Sequence, residues 1–99
     1  MATMPKNSIS TASVNWRDGN GTTHLRVYST DGNVVTERCW DGNGWSNGDF
    51  TAKGEAVSAT LWYTGGGSNI RVYCTYQDKT VEYCVDNGGS NWYVGAYSG

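Results

Sequence analysis

Apolar and polar residues alternate along most of this chain in short runs with a period of two, the pattern of half-buried strands rather than of amphipathic helices. The runs predict eight strands, near Ser13–Trp16, His24–Thr30, Asn33–Trp40, Gly48–Thr51, Ser58–Tyr63, Asn69–Thr75, Thr80–Val85 and Tyr93–Tyr97. Clusters of Gly, Asn and Asp punctuate them: Asp18-Gly19-Asn20-Gly21, Asp41-Gly42-Asn43-Gly44 and Gly65-Gly66-Gly67 read as loops. Asp31-Gly32 reads as a two-residue hairpin turn, with Gly supplying the positive φ.

The eight strands fall into two copies of one unit. Arg26 and Arg71, Glu37 and Glu82, and Cys39 and Cys84 are each 45 residues apart. Trp16 and Trp62 are 46 apart; Trp45 and Trp92, like Gly48 and Gly95, are 47 apart, because Asn87–Asn91 is two residues longer than Gly42-Asn43-Gly44. A four-stranded repeat of about 45 residues is the size of one propeller blade. The fold expected is therefore all-β, with blade 1 over residues 11–53 and blade 2 over residues 54–99, after a polar lead-in over residues 1–10. Two blades leave two apolar faces open, and closed propellers have about four to eight blades. A ring of identical chains (dimer, trimer or tetramer) closes it by a heterologous head-to-tail contact. The rival is an internally symmetric eight-stranded sandwich, for which Greek-key spacing is missing.

Composition agrees with strands and narrows the partners. The chain of 99 residues has 14 Gly, 5 Trp and 7 Tyr but one Phe and one Pro, so burial must lean on aromatic side chains and on other subunits. A net charge of -2 and the lack of a basic stripe argue against nucleic acid. No apolar run is long enough for a spanning helix, and the N-terminus carries no apolar leader core, so neither membrane insertion nor a secretory signal is expected and the compartment stays open. Three cysteines, Cys39, Cys74 and Cys84, suit neither a disulfide framework nor a zinc ribbon and read as buried strand thiols. No metal and no cofactor are expected.

With Asp31-Gly32 as the turn, Thr30 faces Asn33, Tyr28 faces Val35, and Arg26 faces Glu37 as a directly opposed pair. The same alignment pairs Arg71 with Glu82. One such pair at a surface is worth little; two copies beside Trp-rich loops point to chemistry. An Arg–carboxylate unit offers a fork of donors beside acceptor oxygens, which suits adjacent sugar hydroxyls. An indole adds a flat apolar face for sugar C–H groups and an N–H at its edge.

The run Arg26-Val27-Tyr28, then Thr36-Glu37-Arg38-Cys39-Trp40-Asp41-Gly42-Asn43-Gly44-Trp45, then Gly48-Asp49-Phe50 resembles the fucose-binding lectins of the Aleuria aurantia type, most closely their short two-repeat bacterial members. The resemblance spans about Ser13 to Tyr97. It implies a carbohydrate-binding lectin for L-fucose and fucosylated glycans, multivalent as a homotrimer that closes a six-bladed β-propeller, with fucose held between neighbouring blades and acting on extracellular or cell-surface glycans. It also implies an inter-subunit site of Arg71, Glu82 and Ala96 with Trp40 and Trp45 of the adjoining chain, and an intrachain site of Arg26, Glu37 and Asp49 with Val85 and Trp92. Trp16 and Trp62 match tryptophans at the rim. Val85 stands where the family has a tryptophan, Asp49 where it has a small residue, and the longer Asn87–Asn91 loop adjoins Trp92. All three departures fall on the intrachain site, which is expected to be the weaker one.

Three other readings compete with this one. A glycoside hydrolase needs two carboxylates, one of them a general acid; only Asp49 supplies a second carboxylate, in one site, and His24 has no Ser or Cys partner by motif. The Asp18 and Asp41 loops superficially resemble calcium loops but lack the remaining acidic ligands. A purely structural assembly module would use the Arg–Glu pairs to hold blades together.

Overall fold

The computed structural model describes residues 8–99. The polar lead-in and the absence of a leader core fall mostly on residues 1–7, outside the described residues. Eight strands follow in order: β1 (Ser10–Arg17), β2 (Thr23–Thr30), β3 (Val34–Trp40), β4 (Trp45–Lys53), β5 (Ala56–Thr64), β6 (Gly67–Tyr76), β7 (Lys79–Val85) and β8 (Tyr93–Ser98). They form two four-stranded antiparallel sheets, β1-β2-β3-β4 and β5-β6-β7-β8, each a simple up-and-down meander. Most strands run one to three residues beyond the alternating pattern, and β4 starts at Trp45, because backbone pairing continues where side chains are no longer half-buried. The two sheets are joined at Gly54-Glu55, where Gly54 N–H donates to Asn33 O at 2.9 Å and Thr30 Oγ1 donates to Gly54 O. The molecule measures 41 × 39 × 18 Å.

Cross-strand partners share a face, so the register tells which side of each sheet is buried. In the first sheet Val14, Arg26 and Cys39 are aligned, as are Ala12, Tyr28 and Glu37. The core draws Val14, Tyr28, Val35 and Phe50 from this face. From the second sheet it draws Ile70, Val72, Cys74 and Val85, the face opposite the one where Arg71 aligns with Cys84 and Tyr73 with Glu82. The two sheets thus pack in the same sense, front of the first against back of the second. All three cysteines are buried in strands, and burial pushes the Cys74 thiol up to about 11.

This packing leaves two faces uncovered. The back of the first sheet carries Leu25, Trp40 and Trp45 in one row and Val27 with Arg38 in the next. The front of the second sheet carries Arg71, Tyr73 and Glu82, with Trp62 45% and Tyr97 50% exposed.

The hairpin register differs from the expected one by two residues. Thr30 aligns with Val35, Tyr28 with Glu37 and Arg26 with Cys39, so Arg26 and Glu37 are diagonal neighbours on one face, not an opposed pair. The turn pivots on Gly32-Asn33, one residue later than expected, with Gly32 at φ 99°. Asp31 Oδ1 accepts from the N–H groups of Asn33 and Val34, both at 3.0 Å, and so serves as the turn's cap instead of its first central residue. The second hairpin is offset alike: Arg71 aligns with Cys84 and Tyr73 with Glu82 around Gln77-Asp78, both at positive φ.

Each sheet has one irregularity, and both occur at a glutamate. Thr36 pairs with Thr51 but Arg38 with Asn47, so Gly48-Asp49-Phe50 all lie opposite Glu37. Val81 pairs with Ser98 but Tyr83 with Val94, so Gly95-Ala96-Tyr97 lie opposite Glu82. These are bulges that open the outer strand over a side chain.

Candidate functional site

The bulges exist to admit the glutamates. A Cβ on Gly48 would overlap Glu37 Oε1, and one on Gly95 would overlap Glu82 Oε1. Each carboxylate then meets two donors. Glu37 accepts from Tyr28 OH at 2.8 Å and Phe50 N–H at 3.3 Å; Glu82 accepts from Tyr73 OH at 2.8 Å and Tyr97 N–H at 3.2 Å. The Tyr73 hydroxyl, then the Tyr97 N–H, hold the Glu82 carboxyl below the usual carboxylate range, where it is an acceptor and not a proton donor. Burial and the facing Glu37 push the Tyr28 phenol far up, so it stays a donor.

The two arginines are held with equal regularity, by aspartates rather than glutamates. Arg26 NH1 donates to Leu25 O at 2.8 Å and Asp41 Oδ1 at 2.9 Å; Arg71 NH1 donates to Ile70 O at 3.1 Å and Asp86 Oδ1 at 2.7 Å. A tryptophan lies under each guanidinium: Trp16 with its ring centroid 4.9 Å from Arg26, Trp62 at 4.7 Å from Arg71. Tyr93 adds a second ring at 6.0 Å from Arg71, and its hydroxyl donates to Asp86 Oδ2.

On the first sheet these groups line a cleft of about 250 Å³ between the sheets, with Arg26, Glu37, Asp41 and Asp49 on one wall and Gly89, Ser90 and Trp92 on the other. Four of the five residues expected in the intrachain site therefore meet. The fifth, Val85, is not part of the lining: it is 4% exposed within the core, beside Ile70 on β6, on the face that packs against the front of the first sheet. The sheet-to-sheet packing closes over this short side chain in the core instead of leaving it on the cleft wall. Trp92 reaches the cleft from the long loop while packing on Phe50 at 4.6 Å.

The second set is split within one chain. Arg71, Glu82 and Ala96 occupy the open front of the second sheet, while Trp40 and Trp45, ring centroids 5.7 Å apart, occupy the open back of the first. Trp16 and Trp62 are the platforms under the arginines. Missed by sequence reasoning were Asp41 and Asp86 as partners of the arginines and Tyr28 and Tyr73 as partners of the glutamates. Each pair is 45 residues apart, so the repeat offset carried the signal.

A duplicated guanidinium–indole–carboxylate arrangement offers donors, acceptors and an apolar plane, the needs of a sugar ring. Residues 1–75 match the family described as fungal fucose-specific lectin. The chain belongs to that family. Among relatives, a fucose-specific lectin of Aspergillus oryzae is 35% identical over 85 residues, covering 81% of this chain and 27% of the relative. The fucose-specific lectin of Aleuria aurantia is 38% identical over 77 residues, 73% of this chain and 23% of the relative. That of Arthroderma benhamiae is 34% identical over 82 residues, 77% and 22% respectively. The chain thus spans about a quarter of the length of these lectins. The family match takes in Arg26, Glu37, Trp40, Trp45 and Arg71 and ends before Glu82, Trp92 and Ala96.

Proposed function

We propose that the protein is a non-enzymatic lectin that binds L-fucose and fucosylated glycans through two related sites per chain. The observation that carries this reading is the duplicated constellation itself: in each sheet a glutamate is seated in a glycine bulge, and an arginine is clamped between an aspartate and an indole face. Fucose presents vicinal hydroxyls to such a donor–acceptor fork and an apolar C6 methyl and C–H face to the indoles. The names of the relatives point to the same sugar. Catalysis is disfavoured by Glu82 being held as a charged acceptor, the reverse of what a general acid needs.

The chain's organisation is read as two propeller blades, residues 11–53 and 54–99, in the manner of the family's short two-repeat members, three chains closing six blades. The uncovered faces support this. Leu25, Val27 and Trp40 occupy the repeat positions of Ile70, Val72 and Val85, which pack against the front of the first sheet. A copy placed head to tail would lay them on Tyr73, Glu82 and Tyr97 of its neighbour and bring Trp40 and Trp45 to Arg71, Glu82 and Ala96. Several sites on one ring would give avidity for clustered glycans.

Titration calorimetry with methyl α-L-fucoside, alongside light-scattering mass, tests both statements. Saturable binding by a particle of three chains is expected, with the inter-subunit site the tighter because its residue set is whole. Heat released with neither site's variants (Arg26→Ala, Arg71→Ala) affecting it would overturn the assignment. Two equal sites per chain would overturn the ranking.

A further inference from the structure

Beyond the departures already described, the two sites differ at the position just before Leu25 and Ile70. His24 precedes Leu25 as Asn69 precedes Ile70, 45 residues apart. Asn69 is 5% exposed, and its amide bridges Trp62 O, Thr64 Oγ1 and Gly67 O at 3.3 Å, a knot with no titratable member. His24 instead stands between two carboxylates: Nδ1 lies 2.7 Å from Asp41 Oδ1 and Nε2 2.8 Å from Asp18 Oδ2. A neutral imidazole has one N–H and one lone pair, so only the imidazolium can donate to both.

The four groups form an alternating row: Asp18, His24, Asp41, Arg26. Asp18 is anchored at one end, since its Oδ1 also accepts from the N–H groups of Asn20 and Thr22. Asp41 is half exposed and its Oδ1 takes both His24 Nδ1 and Arg26 NH1. The imidazole stacks on Trp16 at 4.8 Å and 10°, the same indole that carries Arg26. The charged groups facing His24 are Asp18 from the β1–β2 turn, Asp41 after β3, and, through Asp41, Arg26 on its own strand.

We propose that His24 is a positioning residue of the intrachain cleft: as the imidazolium it fixes Asp41, and through it Arg26, and its deprotonation weakens sugar binding there, while the Arg71–Asp86 site is indifferent. When the proton leaves, one ring nitrogen turns a lone pair toward a carboxylate. The contact to Asp18, backed by two backbone N–H groups, holds; the contact to the exposed Asp41 gives way and the guanidinium loses its fixed partner. The proton is held more tightly than in an ordinary histidine, by Asp18 first and Asp41 second.

The consequence for sugar rests on the lectin reading; the coupling of His24 to Arg26 does not, and NMR separates them. The chain has one histidine, so a single imidazole signal reports its titration from about pH 5.5 to about pH 9. Its midpoint should exceed 6.5, and the Arg26 Nε–H shift should follow the same curve. With methyl α-L-fucoside, the Trp92 indole should report an affinity falling about fivefold across that curve, the net weight of one ordinary hydrogen bond, since the half-exposed Asp41 contact is screened by water. The Trp62 indole should report none. His24→Asn, which copies the second repeat, should flatten the first site's profile. A midpoint at or below 6.5, an Arg26 signal that ignores the titration, or a fall that survives in His24→Asn overturns the proposal. If neither indole responds to fucoside, the lectin reading fails, and the Arg26 signal alone still decides the coupling.

Discussion

Tyr28 and Glu37 stand opposite one another across β2 and β3, and the phenol hydroxyl donates to Glu37 Oε2 at 2.8 Å inside the molecule. Tyr73 and Glu82 repeat the bond at the same 2.8 Å on the open face of the second sheet. Tyr28 is fully buried and Glu37 is 6% exposed, so Tyr28→Phe leaves a carboxylate oxygen short of a partner with little water to replace it. A loss of about 1–3 kcal/mol in urea unfolding is expected. Tyr73→Phe should cost less stability and act mainly on fucoside affinity, read by calorimetry.

Gly48→Ala places a methyl group where Glu37 Oε1 lies, and Gly95→Ala does the same at Glu82. Each variant should expel its own glutamate from the bulge, abolishing fucoside binding at that site and sparing the other. For Gly48→Ala the overpacking should also lower stability by about 1–3 kcal/mol. Site-resolved NMR titration checks the pairing of variant with site.

Leu25→Asp puts a charge on the uncovered back of the first sheet without touching the core. The expected outcome is a light-scattering mass of one chain with the β-sheet circular dichroism retained. Binding by the Arg71 set should vanish with the assembly, since in the proposed ring its tryptophans come from the neighbour.

Stability should depend on pH through His24 with a defined sign. Its folded value is raised above 6.5 by Asp18 and then Asp41, so its contribution is complete below 6.5 and disappears as pH rises through the folded value. Melting temperature should therefore decline across that window, and His24→Asn should remove the decline.

Cys74 is 1% exposed with its thiol raised to about 11 by burial. Iodoacetamide at about pH 8 should leave it unmodified in the native protein and alkylate it in urea. Mass spectrometry distinguishes the two.

Much of this molecule is determined by its sequence alone. The period-two pattern sets which residues share a face, so Arg26 and Glu37 emerge on one side, and the 45-residue offset sets that there are two sheets carrying the same side-chain arrangement; Trp92 across from them was implied only by the family resemblance. The pattern does not determine the longitudinal offset of a hairpin, because a slip of two residues returns every side chain to its face. That offset came from the backbone: Gly32 at positive φ and the Asp31 cap shift the pivot by one residue, giving Arg26 to Asp41 and Glu37 to Tyr28. The burial of Val85 between the sheets and the meeting of His24 with two aspartates likewise required the tertiary structure. Both depend on which faces pack and how two loops converge, relationships that local alternation does not encode.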